Sequence, residues 1–408
     1  MVIVAGHGGD QSWAVMPGAN LRTMRNARLS QATAGDDGYN AGDLIAGKYR
    51  LGSTIREGSL CRVRMGIHTM LDLPVAIKFL RPEFRCTMLA RLLQREARAT
   101  AALRHPAVVR VLDWGLLAPD DGFIVMERLE GEDLREYLAR KGTLPAEHAI
   151  RLLLPICSGV AAAHAHGIVH RDLKPENLVL AHDDAGHLQP KVLDFGIANR
   201  AIGEKLQEGS GAGAVGTLGY MPPEQAFGIE GNDPRTDVWA FCAMMYEALS
   251  GRTPILGDTF DEQRRALLEQ DVPSLVDLVG MDAALWAILE RGLRKEPSER
   301  WPSMRELGQE LARWLLLRGI YDDVCGRSMA SEWLRPWPSA AWTPCTDWDD
   351  LSQASGESST RATPMPFLLT RTKSSRATRR EGGYARARLD LVRSMQTELA
   401  DSKDKRVP

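Results

Sequence analysis

The stretch His-Arg-Asp-Leu-Lys-Pro-Glu-Asn at residues 170–177 sets an acid, a lysine and an amide close together: Asp172, Lys174 and Asn177. A further acid, Asp194, opens the run Asp-Phe-Gly at 194–196, and Lys78 closes Val-Ala-Ile-Lys at 75–78. Carboxylate and amide oxygens are hard donors of the kind magnesium prefers. Lysine is a compact point charge, well suited to phosphate. A carboxylate near a hydroxyl can take its proton and aim its oxygen. Each of these side chains alone would be an ordinary solvated group. Taken together, they are residue types able to hold a metal ion, an anion and a proton.

The elements that must position them divide into a strand-rich front and a helix-rich back. Tyr49 to Val63 suits strand, turn, strand, and VAIKFL continues as a buried strand. LARLLQREARATAALR has helical spacing at Leu89, Leu92, Leu93 and Leu103 and stops before His105-Pro106. VVRVLDWG and GFIVMERL alternate as two more strands. After Gly131 come AIRLLLPICSGVAAAHAHG, a long apolar helix that Pro155 is expected to bend or restart, and VWAFCAMMYEALSG, apolar all round and so buried. Amphipathic helices follow at Ala283–Gly292 and Met304–Arg318. This pattern predicts a bilobal α+β architecture over 48–317, with lobes at 48–128 and 132–317. Residues 1–47 read as a flexible leader. Residues 318–408 read as a low-order tail with Trp333, Trp337, Trp342 and Trp348 and a basic run, RTKSSRATRREGGYARARLDLVR. The tryptophans could alternatively dock on the helical lobe, where indoles find apolar cover.

Composition narrows the function classes. A chain of 408 residues with a formal net charge of −2 and a pI near 6.5 has no general pull toward nucleic acid or anionic membrane. The basic tail holds only Tyr384 as an aromatic, so it lacks the stacking platform of a single-strand binder. The six cysteines form no C-x-x-C pair, which suits reduced thiols. No signal peptide or uninterrupted apolar span is evident, so no membrane span is expected and a cytoplasmic setting is.

With Met-Pro-Pro-Glu at 221–224 added, these motifs stand in an order that resembles the protein kinase family, over roughly residues 48–317. HPAVVRVLDWG, the KPENLVL extension and Gln225 after Pro-Pro-Glu resemble the bacterial eukaryotic-like Ser/Thr kinases more narrowly. The resemblance implies an ATP-dependent transfer of phosphate to protein Ser/Thr hydroxyls, using Mg2+ or Mn2+. Its catalytic set would be Asp172 as the acceptor of the hydroxyl proton, Lys174 at the γ-phosphate, Lys78 at the α- and β-phosphates, and Glu96 as the partner of Lys78. Asp194 and Asn177 would hold metal. Around the nucleotide it implies Ile55, Gly58, Ser59, Val63, Ala76 and Val179, with Met126 at the back and the backbone from Glu127 to Leu129 on the purine edge. Thr217 would brace Asp172 and Lys174, Glu224 and Arg300 would form a buried ion pair, and Asp237 would steady the catalytic loop. Arg171 implies an activation segment ordered by phosphorylation, for which Ser210 is the candidate, with self-association for trans-autophosphorylation. His164 and His170 read as structural.

The departures centre on Ile-Arg-Glu-Gly-Ser-Leu-Cys-Arg-Val at 55–63. In the family this loop reads G-x-G-x-x-G-x-V, and Arg56 and Cys61 replace its first and third glycines. Thr100 replaces a usual Leu or Met under the regulatory helix, Cys242 a usual glycine, and Pro222 a usual small residue. The alternative reading is a pseudokinase, a scaffold or nucleotide-binding module without transfer. Lys78, Glu96, Asp172, Lys174, Asn177 and Asp194, all present, oppose it. ATP binding is expected to persist, with Arg56→Gly tightening it.

Overall fold

The computed structural model describes residues 38–58, 60–183, 186–195, 218–228, 231–257 and 259–334. The chain divides into two compact units, one from the stretches ending at Arg91 and spanning Leu112–Arg128, the other from Leu92–Val111 and from Leu129 onward.

The first unit is built on a six-stranded sheet. Its strands are β1 (Leu44–Ile45), β2 (Tyr49–Glu57), β3 (Cys61–His68), β4 (Leu73–Leu80), β5 (Val111–Ala118) and β6 (Asp121–Glu127), in the order β1-β2-β3-β4-β6-β5. From Val75 onward β4 is buried on both faces, which explains why its sequence is apolar without alternation. Val75, Ile77 and Phe79 join Tyr49, Leu51, Phe123 and Val125 in a core on one face. Their neighbours must point the other way, because side chains alternate along a strand. Register sets Ala76 opposite Met65 and Met126, and Lys78 opposite Val63 and Ile124. Opposed residues share a face. That face therefore carries Val63, Ala76, Lys78 and Met126 side by side.

The strand expected from VVRVLDWG begins only at Val111. The preceding valines are engaged elsewhere: Val109 N–H donates to the Val192 carbonyl at 3.0 Å, and Val192 N–H donates to the Ala107 carbonyl at 2.8 Å. Helix α1 (Thr87–Ala102) leads into this loop.

The second unit is helical, with a small sheet of β7 (Gly131–Asp133), β8 (Leu178–His182) and β9 (Leu188–Val192). Its helices are α2 (Leu134–Lys141), α3 (Ala146–Ala165), α4 (Pro223–Ala226), α5 (Arg235–Ser250), α6 (Phe260–Glu269), α7 (Leu275–Val279), α8 (Ala283–Gly292), α9 (Met304–Leu316) and α10 (Met329–Trp333). Reciprocal capping boxes start α2, with Asp133 and Glu136, and α6, with Thr259 and Glu262. Pro155 does not restart α3, which runs unbroken from Ala146 to Ala165. Apolar burial along the helix outweighs a local penalty of about 3 kcal/mol for an interior proline. By length and composition α3 could cross a membrane, but 67% of its apolar window is buried inside the protein. Cys242 in α5 packs against Gly292 of α8, where a Cβ would stand 2.2 Å from its Sγ. The extra volume of a cysteine is thus absorbed by a glycine on the facing helix.

Order does not decline at Gly319, as the sequence suggested. Asp322 bridges to Ser328, α10 follows, and Met329 and Trp333 are fully buried. A Cβ on Gly308 would stand 2.1 Å from Cζ3 of Trp333, so the glycine in α9 is what admits the indole. Docking is therefore realised at Trp333. The other three tail tryptophans and the basic run lie outside the described residues.

Candidate active site

The loop 170–177 is held from beneath by a carboxylate that does no chemistry. Asp237, wholly buried at the start of α5, accepts from the backbone N–H of His170 (2.7 Å) and of Arg171 (2.8 Å), and from His164 Nε2 (2.7 Å). Burial pushes its carboxyl up, but the hydrogen bonds from His164 and the Arg171 amide, with the histidine charges, outweigh this and leave it below the usual range. Arg171 adopts φ +64°, a conformation L-residues rarely take. The bonds to Asp237, and Gln225 Nε2 donating to the Arg171 carbonyl at 2.8 Å, hold it there. The Arg171 guanidinium donates to Asn232 Oδ1.

On this frame three predicted residues meet. Lys174 Nζ lies 2.9 Å from Asp172 Oδ1. Asn177 Nδ2 donates to the Asp172 carbonyl at 2.7 Å and to its Oδ2 at 3.1 Å. The amide of Asn177 is thereby oriented, with Nδ2 toward Asp172 and Oδ1 as its acceptor side. Leu193 N–H donates to the Asn177 carbonyl at 2.8 Å, which sets the backbone entering Asp194 beside this loop. Asp194 itself has φ +44°. His170 is a structural link: Nε2–H donates to the Leu193 carbonyl (2.8 Å), Nδ1 accepts from Asp172 N–H (3.3 Å), and the ring packs 4.9 Å from Phe195.

Asp194 and Asn177 offer a carboxylate and an amide oxygen, a donor set that fits a magnesium-sized ion whose other ligands are phosphates and waters. An ion held by these two residues would supply positive charge to offset that of a phosphate substrate. Among the described residues no cluster of three or more His, Cys, Asp or Glu side chains could cage a metal without a substrate.

In the first unit, Lys78 is buried within the sheet face described above. Glu127 ends β6 opposite Val75. The hairpin between β2 and β3 closes through Gly58 N–H to the Cys61 carbonyl at 2.8 Å, and a Cβ on Gly58 would stand 3.0 Å from that oxygen. Leu60 is buried, whereas Ile55 is 51% exposed. Arg56 stands opposite Val63 in the ladder and so shares the Lys78 face. In the second unit, Glu96 and Thr100 are buried on α1, Val179 is half-buried on β8 opposite Asp133, and Leu129 is half-buried. Ser59, Ser210 and Thr217 lie outside the described residues.

Other residues support the site without a readable signal in the sequence. Arg135 on α2 binds Glu176 (3.0 Å), Glu247 and the Tyr220 hydroxyl, and Tyr220 donates to Glu247 at 2.5 Å. Tyr220 is buried among the residues just before Pro-Pro-Glu. Burial and the Glu247 charge push its phenol well up, so it stays a donor. Arg300 pairs bidentately with Glu224, at 2.7 Å for both bonds.

A model of the protein kinase domain matches residues 49–318. The chain belongs to the protein kinase family. Curated relatives include serine/threonine-protein kinase PknB of Mycobacterium leprae, 32% identical over 274 residues covering 66% of this chain and 43% of that protein. Serine/threonine-protein kinase pkn2 of Myxococcus xanthus is 36% identical over 278 residues, covering 66% of this chain and 32% of its own length. PknL of Mycobacterium tuberculosis is 34% identical over 275 residues, with 66% of each covered. The chain thus spans less than half the length of the first two. The fold matches that of the Mycobacterium tuberculosis PknI kinase domain with a TM-score of 0.54 at 24% identity, over 67% of this chain and 98% of that one.

Proposed function

We propose that the chain is an ATP-dependent Ser/Thr protein kinase of bacterial signalling, with its kinase domain over 48–317. The observation that carries this reading is the joint setting of Asp172, Lys174 and Asn177 on a loop anchored by Asp237. Asp172 takes the proton of the substrate hydroxyl and aims its oxygen. The ammonium of Lys174, 2.9 Å from that carboxylate, also neutralises the γ-phosphate. Lys78 orients the α- and β-phosphates, with Glu96 as its partner. Asn177 Oδ1 and the Asp194 carboxylate bind Mg2+, or Mn2+. Val63, Ala76 and Met126 cover adenine from the sheet, and Val179 forms the floor. Lysine in Asp-Leu-Lys-Pro-Glu-Asn supports a Ser/Thr hydroxyl as acceptor.

Regulation is part of the same reading: Ser210 is autophosphorylated in trans and its phosphate is drawn to Arg171. ATP supply sets such an enzyme in the cytoplasm. The rival, a nucleotide-binding scaffold, is favoured only by Arg56 and Cys61. Incubation with labelled ATP and Mg2+ separates the two. Incorporation recovered as phosphoserine or phosphothreonine, and absent from Asp172→Asn, is expected. Equal labelling of both proteins, or none with bound ATP, refutes the kinase.

A further inference from the structure

Past the stretch matched to the family, the chain stays on the helical unit. Arg305 of α9 donates to the Glu332 carbonyl at 2.7 Å and to the Trp333 carbonyl at 3.1 Å, and Gln309 Nε2 donates to the latter at 3.0 Å. Arg305 also sits over the Trp333 ring. From this anchor the Glu332 carboxylate reaches α3 and accepts from Ser158 Oγ at 2.6 Å. Ser158 is buried and lies 3.2 Å from His105 Nε2.

The direction of these bonds is fixed at the far end. Ala107 N–H donates to His105 Nδ1 at 3.1 Å, so the proton of the neutral ring sits on Nε2 and points at Ser158. The serine hydroxyl keeps its own proton for Glu332. Gly159 lets the loop approach α3: a Cβ there would stand 3.3 Å from the Ala107 carbonyl and from His105 Nδ1. The same loop is laced to Val192, the last residue of β9, by two backbone bonds. The next residue, Leu193, bonds to Asn177 and His170, and Asp194 follows.

We infer that Glu332, Ser158 and His105 form a positioning relay, by which a segment beyond the family match fixes the loop after α1 and, through Val192, the backbone carrying Asp194. None of the three is a catalytic residue. Its kinetic consequence rests on the proposed phosphotransfer, while its geometry does not.

The test uses the full chain with Ser158→Ala, Glu332→Ala and Glu332→Gln. Glutamine keeps an oxygen that can accept from Ser158, so it preserves the relay without the charge. In both alanine variants, amide exchange at Ala107, Val109 and Val192 should rise about tenfold, as loss of one buried hydrogen bond predicts. Their kcat should fall about three- to tenfold, and half-saturating magnesium should rise in step, for the same reason. Glu332→Gln should stay within about twofold of wild type on every measure. Wild-type exchange at these amides in both alanine variants overturns the relay, as does an equal defect in Glu332→Gln. A melting temperature that falls with no change in exchange or magnesium dependence also overturns it, leaving only a structural prop. If the wild type transfers no phosphate, the proposed function fails, and the exchange comparison alone decides the relay.

Discussion

His105 makes stability depend on pH in a way that can be isolated. Burial is the main cause that lowers its pKa to about 4; the Glu332 charge opposes this and the Arg327 charge adds to it. In the unfolded chain the ring titrates at about 6.5. Between these values the unfolded chain binds a proton that the folded one refuses, so stability is full above pH 6.5 and falls as pH drops toward 4. The linkage relation gives a loss of about 2 kcal/mol between pH 7 and pH 5 from this residue alone. His105→Gln keeps a donor and an acceptor and removes the titration. Urea denaturation followed by tryptophan fluorescence, at both pH values, should show a slope about 2 kcal/mol shallower in the variant. Other histidines contribute equally to both proteins and cancel. Equal pH slopes in wild type and variant would refute the claim that the ring is held neutral in this relay.

Three further perturbations follow from the geometry. Arg300→Met strips Glu224 of its bidentate partner and removes a donor to the carbonyls of Arg294, Arg235 and Lys295, so thermal or urea denaturation should register a loss of about 3–5 kcal/mol. Gly308→Ala, ordinarily helix-favouring, should instead cost about 1–3 kcal/mol, because the methyl collides with Trp333; in a Trp333→Ala background the same change should cost little. Arg56→Gly should tighten ATP binding about two- to fivefold in a nucleotide titration, the free-energy scale of one side-chain obstruction on the Lys78 face.

What was legible in the sequence was whatever local pattern carries. The apolar run around Lys78, the all-round apolar helix at Val238–Leu249 and the amphipathic α8 follow from periodicity and burial. Asp172, Lys174 and Asn177 sit in one short loop, so their meeting needed little folding. Four features escaped because their causes are distant in the chain. Pro155 stays in a helix only because tertiary burial outweighs its local cost. Val108 and Val109, strand-like by composition, are claimed by Val192. Arg135 gathers Glu176, Tyr220 and Glu247 from separate elements, and Glu332 meets Ser158 and His105 from beyond the family match. No spacing rule brings such partners together. The capping boxes at Asp133 and Thr259 were readable as Asp-x-x-Glu and Thr-x-x-Glu and mark α2 and α6.

The same contrast explains why the worn glycine-rich loop need not disable the site. In the second unit, the strained backbone at Arg171 is held by bonds to Asp237 and Gln225, and loss of Asp237 would release three bonds at once. The β2–β3 hairpin works differently. Neither Arg56 nor Cys61 is among the described residues with positive φ, so replacing glycine at these positions brings no left-handed strain. Arg56 pairs with Val63 just past a register shift between Thr54 and Arg56, and the hairpin closes through Gly58, where a Cβ would stand 3.0 Å from the Cys61 carbonyl. What the lost glycines change is room above the Lys78 face. Under the proposed function, room governs how tightly a nucleotide is held, whereas the chemistry is assigned to Asp172, Asn177 and Asp194. On that reading the departures should alter ATP affinity and leave the capacity for transfer, a distinction that the Arg56→Gly titration and the Asp172→Asn labelling measure separately.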